Sequence, residues 1–126
     1  MTMQERLRQF RELNIGKAEL RQAIGEDLHN VECRKACPVK SSHVAHAIQL
    51  FQDGSITVEK LVEWVNTVWF TDLFAFDEEE ADSVISVLEV LETMDEDGVS
   101  VSETELGRML AALAVNTEYS PSGLQN

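Results

Sequence analysis

Residues 58–70 read VEKLVEWVNTVWF, and this stretch decides the fold. Val58, Leu61, Val62, Val65, Val68 and Trp69 stand at i, i+3, i+4, i+7, i+10 and i+11, one stripe of a 3.6-residue helix. A half-buried strand would alternate apolar with polar, and this segment does not. Thr57 stands where a side-chain oxygen can cap the first turn.

Working upstream, residues 42–52 read as a helix burying Val44, Ala47, Ile48 and Phe51. Ser41 or Ser42 can cap it, and Asp53-Gly54 closes it with a glycine C-cap. Pro38 ends any helix before it, so residues 31–41 carry no definite element. Residues 3–13 and 17–30 read as two helices broken at Asn14-Ile15-Gly16. Leu7 and Phe10 are the apolar contacts of the first, and Leu20, Ala23, Ile24 and Leu28 those of the second.

Downstream, Asp77 with Glu80 three residues later has the form of a capping box opening a helix to about Met94, with Ala81, Val84, Ile85, Leu88 and Leu91 inward. Ser102 with Glu105 opens another over about 103–115, burying Leu106, Met109, Leu110 and Leu113. Residues 117–126 are polar, contain Pro121 and Gly123, and read as a frayed, flexible tail. Short connections favour antiparallel neighbours. The expected fold is all-α, a compact bundle of five to six antiparallel helices. It makes one domain over residues 1–116, with a basic-leaning helical pair in 1–30 and an acidic core in 42–116.

A chain of 126 residues with 44% apolar content fits one globular domain. Its net charge of −13 repels phosphate, which argues against nucleic acid and anionic lipid as ligands and for a cationic partner. The charge is unevenly placed: residues 1–40 hold eight Lys/Arg and six Asp/Glu, whereas residues 41–126 hold two and seventeen. Between Leu61 and Gly107 there are fourteen acids and no base. Two cysteines are too few for a disulfide scaffold, and neither a signal peptide nor a membrane span can be read, so a cytoplasmic protein is expected.

The candidate functional residues follow from that asymmetry. Asp72, Asp77, Glu78, Glu79, Glu80 and Asp82 lead an acidic run, and five of the eight aromatics, Trp64, Trp69, Phe70, Phe74 and Phe76, fall within residues 64–76. Rings ringed by charge suit a protein interface, with aromatics as anchors and acids as guides. Trp64, Phe70, Phe74 and Phe76 are the expected anchors, and Asp72 to Asp82 the expected electrostatic guide. The competing reading makes the acids a solvated face and the rings core.

Cys33, Cys37, His43 and His46, with His29 nearby, form the one metal-like constellation, but no zinc knuckle surrounds the cysteines. Neither Asp53-Gly54 nor Asp95-Glu96-Asp97-Gly98 completes a calcium loop, because the twelfth position falls on Lys60 or Thr104. No phosphate loop, nucleophile elbow or HExxH is present, so neither an enzyme nor a cofactor is expected.

The run Ala47-Ile48 to Phe51, then Gly54 and Ile56, then Leu61-Val62, Trp64 and Asn66, resembles small acidic helical immunity proteins of bacterial polymorphic-toxin systems, including contact-dependent growth inhibition. Glu79-Glu80 followed by Val84, Val87-Leu88 and Leu91 extends the likeness, which covers about residues 44–113. The basic lean of residues 1–40 departs from that pattern. The resemblance implies an antitoxin that neutralises a basic cognate toxin, often a nuclease, by covering its active site or nucleic-acid groove. The alternatives are a phage or mobile-element inhibitor that mimics nucleic acid, and a metal-dependent regulator built on Cys33, Cys37, His43 and His46.

Overall fold

A computed structural model describes residues 3–25, 36–96, 98–99 and 101–120. Among these residues, six helices and one two-stranded sheet follow in the order α1 (Met3–Arg11), α2 (Lys17–Ile24), β1 (Cys37–Val39), α3 (Ser41–Gln52), α4 (Val58–Phe70), β2 (Phe74–Phe76), α5 (Ala81–Leu91) and α6 (Glu103–Val115). The protein is therefore mostly helical with six helices among the described residues, in keeping with the expected all-α class, and adds one small parallel sheet that the expectation lacked. No helix among the described residues is long and apolar enough to cross a membrane.

The local signals for the central helices act as expected. The Thr57 hydroxyl accepts the Lys60 amide at 3.2 Å, and the Ser102 hydroxyl accepts the Glu105 amide at 3.1 Å. Gly54 follows α3 with φ of 83°, a left-handed conformation that glycine adopts at no steric cost. Thr57→Ala and Ser102→Ala are each expected to lower unfolding free energy by about 1 kcal/mol. The caps lie on different helices, so urea melts of the double variant should show the sum.

Helix α2 is shorter than its periodicity indicates. Gly25, with φ of 83°, returns its amide to the Arg21 carbonyl at 2.8 Å and closes the helix there. Leu20 is buried and Ile24 half-buried, while Ala23 faces solvent; Leu28 lies outside the described residues.

The sheet is parallel, pairing Cys37 with Phe74, Pro38 with Ala75 and Val39 with Phe76. Parallel strands need a crossover, and α3 with α4 supplies it. Cys37 donates its amide to the Leu73 carbonyl at 2.8 Å, which places the backbone groups of Cys37 and Val39 toward β2 and turns those of Pro38 away. Proline is tolerated at position 38 because its missing N–H falls on the outer edge. Cys37, Val39 and Phe74 face the core, and Pro38 and Ala75 face solvent.

The core joins Leu7 and Phe10 of α1, Leu20 of α2, Val44 and Ile48 of α3, Leu61 and Val65 of α4, Leu88 and Leu91 of α5, and Leu106 and Met109 of α6. The rings of Phe10 and Phe74 meet with centroids 5.8 Å apart, so α1 covers the inner side of the sheet.

Of the tail expected over residues 117–126, residues 121–126 lie outside the described residues, and within the described part Tyr119 is packed, at only 5% exposure. Its amide donates to Ser86 Oγ at 2.9 Å, its hydroxyl donates to the Glu105 carboxylate, and the Arg108 guanidinium lies 5.8 Å over its ring. Burial first, then the bond to Glu105, push the phenol up to about 12. Tyr119 is the one tyrosine of the chain, so phenolate absorbance should report a midpoint near 12 in the folded protein. Between the unfolded value of about 10 and that midpoint the folded state holds the proton more tightly. Stability should therefore fall as pH rises through this window, and Tyr119→Phe should remove that part of the slope.

Candidate interaction surface

Helix α4 ends at Phe70, whose ring is 53% exposed and stacks on Trp69 with centroids 4.9 Å apart and planes 16° from parallel. Trp69 is half-buried against the core, so the pair is an anchored base carrying a presented ring. Asp72 follows, exposed, two residues on. The three residues of β2 span about 10 Å and lead to the turn at residues 77–80. Glu78 and Glu79 in that turn, and Asp82 just after it, are exposed. Glu59 and Glu63 precede Phe70 on α4 by eleven and seven residues, which repeats one helical face.

Several expected partner-binding residues have other roles. Trp64 is a core residue, 1% exposed, and its indole N–H donates to the Arg11 carbonyl at 3.1 Å. It stands three residues after Leu61 and four before Val68, so it belongs to the same stripe, and that spacing was the overlooked signal. Phe74 is also sealed, at 6% exposure, because strand alternation turns it inward against Phe10. Phe76 is half-buried by the same alternation. Of the four rings expected as anchors, Phe70 alone is well exposed.

The acids divide in the same way. Helix α5 begins at Ala81, four residues later than the capping-box reading placed it, because β2 consumes the preceding residues and the chain must reverse before the helix starts. The Asp77 carboxylate accepts the Glu79 amide at 3.0 Å and closes the turn rather than capping a helix. Glu80 is half-buried and accepts both the Ser41 amide at 3.2 Å and the Ser41 hydroxyl at 2.8 Å. It thus supplies an anionic cap to the N-terminus of α3, where the helix dipole favours negative charge. From the other side, Asn116 Nδ2 donates to the Glu79 carbonyl at 2.7 Å, and Ser83 Oγ lies 2.9 Å from Asn116 Oδ1. Asn116 itself closes α6 in a left-handed conformation. The turn is therefore tied to α3 and α6, and its exposed carboxylates, Glu78 and Glu79, project from fixed backbone.

The opposite flank of the sheet is cationic. Arg11 donates to the Pro38 carbonyl at 2.8 Å and approaches the Cys37 thiol at 3.6 Å. Burial pushes the Cys37 thiol up, opposed by Arg11 and Arg8, so this cysteine is a packed side chain rather than a reactive one. His43 accepts the Lys40 amide through Nδ1 at 2.9 Å, and burial followed by the Arg11 charge hold it below the usual histidine value. His46 is exposed. Cys33 and His29 lie outside the described residues, and among the described residues no three His, Cys, Asp or Glu are grouped to hold a metal ion.

Comparison with known proteins finds no matching family model, no matching curated protein and no matching solved structure.

Proposed function

We propose that the chain is a non-enzymatic immunity protein or antitoxin of the cytoplasm, which binds and neutralises a basic toxin domain, a nuclease in the simplest case. The observation that carries this reading is the Phe70 ring, half exposed on Trp69 and followed along the chain by the exposed acids Asp72, Glu78, Glu79 and Asp82, in a stretch of sequence with no base from Leu61 to Gly107. A large ring held in place by a neighbour loses little entropy on docking, and surrounding carboxylates steer a cationic protein toward it. A nuclease groove is cationic because it holds phosphate, so an acidic face competes for it directly. In this reading the helices run as an antiparallel bundle and serve as a stiff frame for the face.

The test begins with capture on the full chain from the source cell, identification of the bound proteins by mass spectrometry, and kinetics with the purified partner. Asp72, Glu78 and Glu79 changed together to Lys should slow association at least tenfold at low salt and much less at high salt. Glu80 is left intact because it caps α3. A captured partner that is not basic, or an association rate indifferent to the triple change, would refute the proposal.

A further inference from the structure

We infer that the outer edge of β2 is a docking edge for an extended, cationic segment of the partner, which adds as a third strand to the sheet. This inference rests on the acidic-face reading above and specifies the form in which the partner binds there.

The two edges of the sheet are unlike. The outer edge of β1 is closed: Pro38 has no N–H to offer, and its carbonyl is taken by Arg11 at 2.8 Å. Arg8 and Arg11 are close enough to act on the buried Cys37 thiol, and Glu12, paired with Arg11 at 3.3 Å, offsets one of the two, so this flank keeps a positive excess. Among the described residues the outer edge of β2 is open. The register directs the backbone groups of Ala75 toward β1 and those of Phe74 and Phe76 away from it. Among the described residues neither strand has a third neighbour, and no hydrogen bond is made by the Phe74 carbonyl or by the N–H and carbonyl of Phe76.

Exposed edges of this kind are templates for pairing, and proteins usually blunt them with proline, lysine, a bulge or a cover. Here β1 carries the proline, and β2, Phe74-Ala75-Phe76, has no proline, lysine or bulge. Ala75 puts only a methyl group on the solvent face of the strand, so an added chain meets no bulky side chain there.

Charge selects the occupant. The strand is bounded by Asp72 at one end and by Asp77, Glu78 and Glu79 at the other. A second copy of this chain pairing antiparallel would bring those acids together, at a cost in like-charge repulsion. A strand with lysine or arginine at its flanks meets opposite charges at both ends, while its backbone takes the free donors and acceptors of the edge.

The experiment uses the full chain and four seven-residue probes: an alternating lysine–valine peptide, the same peptide N-methylated on alternate amides, a lysine–glycine peptide of equal charge, and a neutral threonine–valine peptide. Affinity is read by fluorescence anisotropy, and amide exchange at Phe76 by NMR. The lysine–valine peptide should bind at least tenfold more tightly than the lysine–glycine peptide and slow exchange at Phe76, and N-methylation should abolish both effects. Equal binding of the plain, methylated and lysine–glycine cationic peptides, with Phe76 unprotected, would overturn the edge while leaving the acidic face in place. Cationic peptides binding no better than the neutral one would overturn both readings. Protection of Phe76 in a dimer of the free chain would assign the edge to a second copy and also overturn the inference.

Discussion

Replacing Trp64 with alanine is expected to lower the unfolding free energy by about 3–5 kcal/mol, the usual cost of emptying a large aromatic site in a core. A domain of this size has about 5–15 kcal/mol in total, so the variant should be partly unfolded or nearly so at 37 °C. Two losses combine. The ring is 1% exposed within the core cluster to which all six helices contribute, and its removal leaves a void that close-packed neighbours fill poorly. The Arg11 carbonyl also loses the indole donor at 3.1 Å, just where α1 ends. Trp64→Phe separates the two, because most of the apolar volume stays while the donor goes; about 1 kcal/mol of the loss should remain from the hydrogen bond. Urea melts followed by circular dichroism decide the matter. A Trp64→Ala cost below 1 kcal/mol would mean that the ring is not a core element.

How much of this fold can be read from residue order depends on whether each signal is local. Helices α3, α4 and α6 are legible because period, cap and stop signal lie within a few residues of one another. Thr57 and Ser102 act on amides three residues away. The sheet is harder to read: strands of three residues are too short for a period to show, and their pairing joins residues 37 positions apart, Cys37 with Phe74. Pro38 is legible as a helix stop, but its place in a strand depends on which way its neighbours point. Glu80 shows the limit most clearly. Its spacing from Asp77 has the form of a capping box, yet its carboxylate caps a different helix, at Ser41. Residue type and charge preference were right there, and only the three-dimensional fold could supply the partner. Gly25, by contrast, stood in plain view as a helix stop, and the apolar spacing that continues to Leu28 masked it.

The same division applies to the acidic-aromatic site. The charge asymmetry that motivates it was legible from composition, since fourteen acids without a base in one stretch exceed what solubility needs. The members of the site were not, because exposure depends on what covers each ring. Phe70 is left out where α4 ends, while Trp64 and Phe74 are taken in by α1. Glu78, Glu79 and Asp82 remain free for solvent or partner, and Asp77 and Glu80 are committed to holding the turn that presents them.

Phe70→Ala should have the opposite signature to Trp64→Ala. The Phe70 ring is 53% exposed, and the helix that carries it is closed by Thr71, whose hydroxyl donates to the Thr67 carbonyl at 2.6 Å and accepts the Leu73 amide at 3.4 Å without involving Phe70. Truncation therefore opens no cavity, and unfolding free energy should change by less than about 0.5 kcal/mol. Binding is different. If the ring enters a pocket of the partner, its loss removes the central apolar contact and the desolvation that strengthens the surrounding charge pairs. An aromatic hot spot is worth about 2 kcal/mol or more, which is about thirtyfold in affinity. The change should appear in the dissociation rate, since the carboxylates that guide the encounter are untouched. Phe70→Trp should retain most of the affinity, because another flat ring can stack on Trp69. Biosensor kinetics of both variants, set beside their urea melts, tests this directly. Faster dissociation with unchanged stability makes Phe70 an anchor. Affinity that stays within twofold would show that the ring is exposed without being used, and the charged face would then have to bind without an apolar centre.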